Sequence, residues 1–462
     1  MSDRPLSVAV IGAGPAGIYA ADILAKADID TSIDLYERLP APFGLVRYGV
    51  APDHPRIKQI IVALYKILQR GDIRLIGNVT VGEDITIEDL QEHYDAIIIA
   101  TGSDKDSPLD IPGVDLDGSY GAADFVSWYD GHPDYPREWP LEAKEVAVIG
   151  VGNVALDVAR ILAKHPDDLM VTEIPENVEK GLRSSPVTDV HVFGRRGPAQ
   201  VKFTPLELRE LGKVPDVDVI VYEEDFDFDE GSQDAISSSN QTKQVVNTLT
   251  DWVMRDEEFT ASRRIHIHMM QSPVEILGDG KVEGIRMERT ELVGDGSVKG
   301  TGEFIDYPVQ AVYRAVGYFS SPINGLPFDE VRGVIPNVEG RVIAPGGDHI
   351  PGIYSTGWVK RGPVGLIGST KSDARETIGH LVEDAQAGKL DHDRDISGVG
   401  YEAMTQLLDE RGIKYTTWQG WEMLEAFEMS LGEAQGRERV KVVERDTMTA
   451  ISRGEEHDGK LY

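Results

Sequence analysis

Two segments of the chain share one pattern of apolar and polar residues. Residues 7–11 (SVAVI) form a short apolar run that leads into the glycine-rich residues 12–17 (GAGPAG) and then into a helical pattern. Residues 145–149 (EVAVI) form a second such run, which leads into residues 150–155 (GVGNVA) and another helical pattern. Each segment predicts a strand, a tight turn and a helix, which is the order of a dinucleotide-binding βαβ unit.

Further elements follow from the same pattern. Apolar runs at 94–100, 187–193 and 309–316 each lead into a glycine and are typical of parallel strands buried on both faces. Residues 281–289 and the stretch around 265–269 are predicted as antiparallel strands or excursions. Residues 216–234 are dense in Asp and Glu and are predicted as a solvated loop or insertion. A helix is expected at 421–431.

The first glycine turn predicts a site for a dinucleotide with a free adenosine ribose. Gly12 permits the tight turn, Gly14 lets the backbone approach a pyrophosphate, and Gly17 lets the helix pack closely on the strand. Glu37 ends the next apolar run, IDLYE, where a carboxylate accepts hydrogen bonds from ribose hydroxyls and repels an added 2′-phosphate. This turn is therefore expected to hold FAD or NAD.

The second glycine turn predicts a site for a dinucleotide that carries a 2′-phosphate on its adenosine ribose. Ala155 stands in the third glycine place, which the pattern permits. Where an acid would end the following strand, the chain has Arg195 and Arg196, whose guanidinium groups suit a phosphate dianion. One site for FAD and one for NADPH in one chain indicate flavin chemistry, because a flavin accepts a hydride and releases electrons singly.

The amino-acid composition excludes several kinds of functional site. The 462 residues include no cysteine, which excludes disulfides, thiolate metal sites, cysteine-bound iron–sulfur clusters and a redox-active dithiol. No metal site is predicted. No apolar run is long enough to span a membrane, and the first residues do not resemble a signal peptide. The expected location is the cytoplasm.

The charge is strongly acidic but uneven. The net charge of -33 argues against a general nucleic-acid or anionic-membrane surface. Residues 45–74, called the basic island below, contain only Asp53 and Asp72 as acids. This island is a candidate docking surface for an acidic protein partner. Its cations are Arg47, Arg56, Lys58, Lys66, Arg70 and Arg74.

Longer motifs connect these features. The chain contains PFGLVRYGVAPDHP at 42–55, GNVALDVAR at 152–160, GRRGP at 194–198, TPLELRE at 204–210 and WVKRGPVGLIG at 358–368. Together with the N-terminal glycine turn, they resemble the ferredoxin–NADP⁺ reductases of the adrenodoxin reductase type, especially the bacterial members, over nearly the whole chain. The resemblance implies an α/β fold with two Rossmann-like dinucleotide-binding domains. The NADP domain (105–319) would be inserted into a discontinuous FAD domain (1–104 and 320–462).

The resemblance also implies roles for individual residues. His54 and Glu210 match a histidine and an acid that lie near the nicotinamide, where they would play a supporting role. A ferredoxin-like electron carrier is the implied partner, and it is expected to dock near Arg47, Arg56 and Lys58. The implied FAD contacts are Gly12, Gly14, Ala16, Gly17, Glu37, Leu45, Val81, Trp358, Gly365, Leu366 and Ile367. The implied NADP contacts are Gly152, Asn153, Val154, Arg195, Arg196, Glu207 and Gly365.

The expected activity is hydride transfer from NADPH to FAD, followed by single-electron transfer to an iron–sulfur carrier. A flavin-dependent disulfide reductase is excluded by the absent cysteines. Two alternatives stay open from the nucleotide sites alone. A flavin monooxygenase would couple NADPH oxidation to oxygenation of a substrate, and a redox-sensing protein would hold NADPH without turnover.

Overall fold

The computed structural model describes residues 4–54, 59–256, 258–363, 367–390 and 400–462. The chain forms two compact units. The first contains Met1–Lys105, Asp130–Asp134 and Tyr318–Tyr462, and the second contains Asp106–Tyr129 and Tyr135–Gly317. These units differ from the expected domain bounds at the short segment Asp130–Asp134, which lies within 105–319 but belongs to the first unit. There the Lys441 ammonium donates to the Asp130 carbonyl oxygen at 3.0 Å.

The first unit is built on a seven-stranded sheet with the strand order β16-β17-β18-β4-β1-β2-β3. Strands β18, β4, β1, β2 and β3 run parallel, and β16 and β17 form an antiparallel edge. The strands are β1 (Leu6–Ile11), β2 (Thr31–Tyr36), β3 (Ile73–Ile76), β4 (Ala96–Ile99), β16 (Asn337–Val338), β17 (Arg341–Ile343) and β18 (His349–Ser355).

Helices surround this sheet because its central strands are apolar on both faces. Val10 of β1 and Ile98 of β4 are fully buried in the apolar cluster on one face, and Ala9 of β1 and Ile99 of β4 are fully buried in the cluster on the other. The helices of the first unit are α1 (Pro15–Ala25), α2 (Leu45–Tyr48), α3 (Ile60–Leu68), α4 (Ile87–His93), α11 (Trp358–Arg361), α12 (Ile367–Gln386), α13 (Tyr401–Glu410), α14 (Trp418–Ala434) and α15 (Arg445–Arg453). Helix α14 contains the helix expected at 421–431.

The second unit has a parallel six-stranded sheet with the order β6-β14-β7-β8-β10-β9 and a separate antiparallel sheet, β11-β12-β13. Its parallel strands are β6 (Ser119–Gly121), β7 (Glu145–Ile149), β8 (Asp189–Phe193), β9 (Val217–Val221), β10 (Arg263–His268) and β14 (Ala311–Arg314). Its antiparallel strands are β11 (Gln271–Leu277), β12 (Gly284–Leu292) and β13 (Val298–Tyr307). Its helices are α5 (Ala122–Tyr129), α6 (Asn153–Ala163), α7 (Glu176–Ser184), α8 (Pro205–Leu211), α9 (Glu230–Ser238) and α10 (Asn240–Val253). The short strands β5 (Lys105–Asp106) and β15 (Tyr318–Phe319) lie where the chain passes from one unit to the other.

Two sequence expectations about the second unit are wrong. The acidic segment 216–234 is not a loop, since it contains β9 and the start of α9. Ile220 of β9 pairs with His266, so the segment is held by a strand ladder despite its charge. The stretch around 265–269 is a parallel strand between β8 and β9 rather than an antiparallel excursion. The predicted antiparallel strand at 281–289 is confirmed as part of β12.

The predicted α/β fold with two Rossmann-like units is confirmed. Each unit contains a parallel sheet in which a strand, a glycine turn and a helix follow one another: β1 and α1 in the first, β7 and α6 in the second. Among the described residues, no helix combines the length and apolar character that crossing a membrane requires.

Candidate functional site

The first glycine turn is shaped by close backbone contacts. Gly12 has φ +106°, and a Cβ there would lie 2.5 Å from the carbonyl oxygen of Ala100. A Cβ on Gly17 would lie 1.9 Å from the carbonyl oxygen of Gly12. Gly14 is the N-cap of α1 and supplies no side-chain cap, which leaves the first N–H groups of the helix to bind an anion.

Glu37 stands beside this turn, as the sequence predicts. Its Oε2 accepts a hydrogen bond from the Ala13 N–H at 2.9 Å, and its Oε1 accepts one from the Leu39 N–H at 3.1 Å. Burial raises the pKa of the carboxyl, and the two N–H donors act in the opposite direction. A carboxylate has about four lone-pair sites, so both oxygens can also accept from ribose hydroxyls.

The other predicted FAD contacts of the N-terminal segment lie in the first unit. Ala16 is buried in the first turn of α1, and a Cβ on Gly357 would lie 2.6 Å from its methyl carbon. Leu45 begins α2 and is partly buried. Val81 is partly buried and packs against the apolar cluster on one face of the sheet.

Trp358 begins α11 directly after β18. Its ring stacks on Tyr318, with centroids 6.1 Å apart and an interplanar angle of 24°. The remaining predicted contacts of this segment, Gly365 and Leu366, lie outside the described residues. Ile367 is described only as the first residue of α12.

The second glycine turn leaves open space at its centre. Gly150 has φ +134°, and a Cβ there would lie 2.2 Å from the Ala315 carbonyl oxygen, whereas a Cβ on Gly152 would meet nothing within 4 Å. Asn153 begins α6, and its Oδ1 accepts from the Thr204 N–H at 2.8 Å. Val154 follows in the first turn of α6 and is partly buried. The space beside Gly152 therefore faces the uncapped start of a helix, which is where a pyrophosphate binds in such units.

Arg195 and Arg196 follow β8, at the carboxyl end of the sheet. Arg195 is exposed and Arg196 is partly buried, and neither forms an ion pair with a described residue. Their backbone is fixed, because Thr290 Oγ1 donates to the Arg195 carbonyl at 2.8 Å and the Met270 N–H donates to that of Arg196 at 3.3 Å. Two cations on a fixed backbone fit the recognition of a phosphate.

The predicted residues near the nicotinamide are distributed over both units. His54 belongs to the first unit and is 3% exposed. Glu207 and Glu210 belong to α8 of the second unit, where Glu207 is 3% exposed and Glu210 is partly buried. Helix α8 begins at a defined point because Thr204 Oγ1 accepts from the Glu207 N–H.

Arg47 is wrong as a docking residue, whereas docking by the other cations of the basic island stays a prediction. Arg47 is 2% exposed, and its guanidinium binds both carboxylate oxygens of Glu428 at 3.0 and 2.5 Å. Arg70 and Arg74 pair with Asp22 and Asp34. Arg47 therefore cannot receive a partner protein, since its charge is satisfied inside the first unit. Arg56 and Lys58 lie outside the described residues.

A cluster of histidines in the second unit was not singled out from the sequence. Strands β8 and β10 bring His191, His266 and His268 together, with candidate ligand atoms within 4.8 Å of one another. His191 Nδ1 lies 3.0 Å from His268 Nε2, and the His266 nitrogens bond to Tyr222 and Asp189. Burial, reinforced by the neighbouring histidines, lowers the pKa of His191 to about 4 and that of His268 to about 2. A metal ion would have to replace these hydrogen bonds, so the cluster is best described as a hydrogen-bonded array.

Helix α12 holds the turn before Trp358, which the sequence analysis also missed. The Asp373 carboxylate accepts from the Gly357 N–H at 2.5 Å and from Thr356 Oγ1 at 3.0 Å. Asp373 belongs to no motif and lies well along a helix, so the helical pattern alone did not separate it from surface acids.

Comparisons with known proteins cover almost all of the chain. Residues 6–185 match the family described as Pyridine nucleotide-disulphide oxidoreductase. The chain is 41% identical over 464 residues to the NADPH-ferredoxin reductase FprA of Mycobacterium tuberculosis, covering 98% of this chain and 100% of that protein. It is 38% identical to the mitochondrial NADPH:adrenodoxin oxidoreductase of Arabidopsis thaliana, covering 98% and 96%.

The solved structures agree with the sequence comparisons. The structure of Mycobacterium tuberculosis FprA in complex with NADPH matches with a TM-score of 0.89 at 40% identity, covering 98% of this chain and 100% of that one. A second structure of the same protein matches with a TM-score of 0.90. This chain contains no cysteine, although residues 6–185 match a family that is described by disulphide chemistry.

Proposed function

Because the chain belongs to the ferredoxin–NADP⁺ reductases of the adrenodoxin reductase type, we propose that it carries electrons from NADPH through FAD to an iron–sulfur protein. It is a flavoprotein oxidoreductase that uses FAD and NADP(H). When bound, FAD accepts a hydride and releases electrons one at a time, which joins a two-electron donor to a one-electron acceptor.

A single observation carries this proposal. The chain has two glycine turns on separate sheets. The residues that follow the neighbouring strand carry opposite charges at the two turns. Glu37 follows β2 beside the first turn, and Arg195 and Arg196 follow β8 beside the second. An acid selects a free ribose and a pair of guanidinium groups selects a 2′-phosphate, so the two sites suit different dinucleotides.

The first turn fits the adenosine and pyrophosphate portions of FAD. Gly12, Gly14 and Gly17 bring the backbone close to the ligand, and the start of α1 supplies N–H groups for the pyrophosphate. Glu37 binds the ribose hydroxyls through oxygens already oriented by the Ala13 and Leu39 N–H groups. We propose that other parts of FAD contact Ala16, Leu45, Val81, Trp358 and residues 365–367.

The second turn fits NADPH. The open space beside Gly152 admits the pyrophosphate, with Asn153 and Val154 at the start of α6, and Arg195 and Arg196 hold the 2′-phosphate. Glu207 and Gly365 are proposed NADP contacts, and His54 and Glu210 support the nicotinamide end. Catalysis then depends mainly on positioning, since direct hydride transfer requires no general acid.

The partner is an iron–sulfur electron carrier. Docking through Arg56 and Lys58 stays a prediction, as does a cytoplasmic location. Reversal of both cations to Glu should slow electron transfer to ferredoxin while leaving ferricyanide reduction intact, and the loss should shrink at high ionic strength. Equal losses with the two acceptors would assign these residues to the flavin site.

The proposed function is tested by spectroscopy and anaerobic reduction. The purified protein should show the absorption of bound FAD, at one per chain, and NADPH should bleach it. Addition of an oxidised ferredoxin should restore the colour and reduce the ferredoxin. A protein that binds no flavin, or whose NADPH-reduced flavin passes no electrons to ferredoxin but oxygenates an organic substrate once O2 is admitted, would contradict the proposal.

A further inference from the structure

We propose that Asp373 is the positioning residue for Trp358, and that its carboxylate fixes the tryptophan against the bound flavin and nicotinamide. The proposal rests on the function above, because it assumes that Trp358 faces these rings. Asp373 itself is not proposed to touch substrate or cofactor. It acts through the turn that joins β18 to α11.

The turn depends on a backbone conformation that Asp373 stabilises directly. Gly357 has φ +77°, which L side chains rarely adopt. Its N–H donates to Asp373 Oδ2 at 2.5 Å, and Thr356 Oγ1 donates to the same oxygen at 3.0 Å. One carboxylate oxygen therefore holds both residues that precede Trp358.

The other carboxylate oxygen extends this contact to the helix that contains Trp358. Asp373 Oδ1 lies 3.1 Å from the Lys360 ammonium, which also binds Glu376 at 2.5 Å and Thr377 at 3.2 Å. Lys360 is 7% exposed, so its charge needs these partners. Asp373 thus joins the turn before Trp358 to the residue two positions after it.

Close packing makes this turn sensitive to small displacements. A Cβ on Gly357 would lie 2.6 Å from the methyl carbon of Ala16, at the start of α1, where the FAD pyrophosphate is proposed to bind. On its other side, Trp358 stacks on Tyr318. Loss of the carboxylate would release the turn, and a shift of about 1 Å at a reacting centre can cost about 10²-fold in rate.

The experiment compares Asp373→Ala and Asp373→Asn with a matched control, Asp384→Ala. Asp384 lies on the same helix α12 and is buried, and it binds Arg341 at 2.7 and 3.0 Å and the Tyr354 hydroxyl at 3.0 Å. Its loss removes an ion-paired carboxylate from the same helix without removing a contact to the turn. Each holoprotein is examined by thermal unfolding, FAD stoichiometry, visible circular dichroism of the flavin, and stopped-flow reduction by NADPH without oxygen.

Both alanine variants should lower the unfolding temperature. Only Asp373→Ala should change the flavin circular dichroism and slow flavin reduction, by roughly 10-fold to 10²-fold, while retaining FAD. Asp373→Asn keeps an acceptor oxygen for Gly357 and should recover much of the rate. In a Trp358→Ala background, Asp373→Ala should slow reduction no further.

Three results would overturn the proposal. They are an unchanged flavin spectrum and rate in Asp373→Ala, equal slowing in Asp384→Ala, or full slowing that persists in the Trp358→Ala background. Failure of the wild-type protein to be reduced by NADPH would instead count against the proposed function. The circular dichroism comparison tests Asp373 independently, since it needs only bound FAD.

Discussion

The ion pair between Arg47 and Glu428 gives a quantitative test of the first unit. Glu428→Gln keeps the shape of the side chain but removes its charge. The two side chains are 3% and 0% exposed and are joined by contacts of 3.0 and 2.5 Å. Glu428 also accepts from the Val442 N–H at 3.0 Å, so one carboxylate connects α2 to the segment after α14. The substitution would leave the Arg47 cation buried beside a neutral amide.

Removal of one partner from such a pair typically costs about 3–5 kcal/mol, and we expect about 3 kcal/mol for the conservative change to Gln. Arg47→Met should cost a similar amount, because the Glu428 carboxylate then lacks its cation. The double substitution with Met at both positions should be within about 1 kcal/mol of the wild type, since two apolar side chains need no charge compensation.

The assay is urea unfolding of the holoprotein at a fixed excess of FAD, followed by flavin fluorescence and far-ultraviolet circular dichroism. Free FAD is held constant because a ligand shifts the apparent stability. Glu455→Gln serves as the control, since its pairs with Lys414 and Arg453 are screened by solvent and should contribute little to stability. Single losses below about 1 kcal/mol, or a double variant that loses the sum of the two single losses, would refute the reasoning.

Three further predictions concern the second unit. The Arg195→Ala, Arg196→Ala double variant should bind NADPH roughly 10²-fold or more weakly, because charged hydrogen bonds to the 2′-phosphate contribute about 1.5–3 kcal/mol each. Its affinity for NADH, which lacks this phosphate, should be unaffected. An equal loss of affinity for both nucleotides in titrations would show that the arginines are structural. Gly152→Ala should unfold at the wild-type temperature, since a Cβ there meets nothing within 4 Å. The variant should nevertheless bind NADPH at least about tenfold more weakly, because the methyl group occupies the space of the pyrophosphate. Calorimetric titration measures this affinity, and an unchanged value would contradict the proposed position of the pyrophosphate. The contribution of His191 to stability should be lost as the pH drops from about 6.5 to about 4, because the unfolded chain then protonates His191 while the folded chain, with a pKa of about 4, does not. His191→Gln should therefore lose less stability than the wild type between these pH values in urea titrations, and an identical pH dependence would refute the assignment.

The sequence predicted best where one local pattern determines the structure. The glycine turns could be located because Gly12 and Gly150 need positive φ and close backbone approach, which few other residues permit. Glu37 could be placed because the next strand of a βαβ unit must lie beside the first. These inferences depend on neighbours within a few tens of residues.

Predictions were less accurate where a residue's partner is distant in the sequence. Arg47 was interpreted from nearby cations, yet its partner Glu428 is separated from it by 381 positions. Asp373 could not be identified from the sequence. Its partner is the Gly357 backbone N–H, and a contact to a backbone group leaves no pattern of residue types. The acidic segment 216–234 was misjudged because strand pairing of β9 with β10 outweighs its composition.

The position of β18 also has a consequence for how the protein is made. Ile353 of β18 pairs with Ile97 of β4, so the central sheet of the first unit needs a strand that leaves the ribosome only after the entire second unit. During synthesis, β4 therefore presents an unpaired edge to its surroundings, while the mostly continuous second unit can already fold. A released chain truncated after Gly317 should thus carry a protease-resistant C-terminal half attached to an unfinished, aggregation-prone N-terminal one.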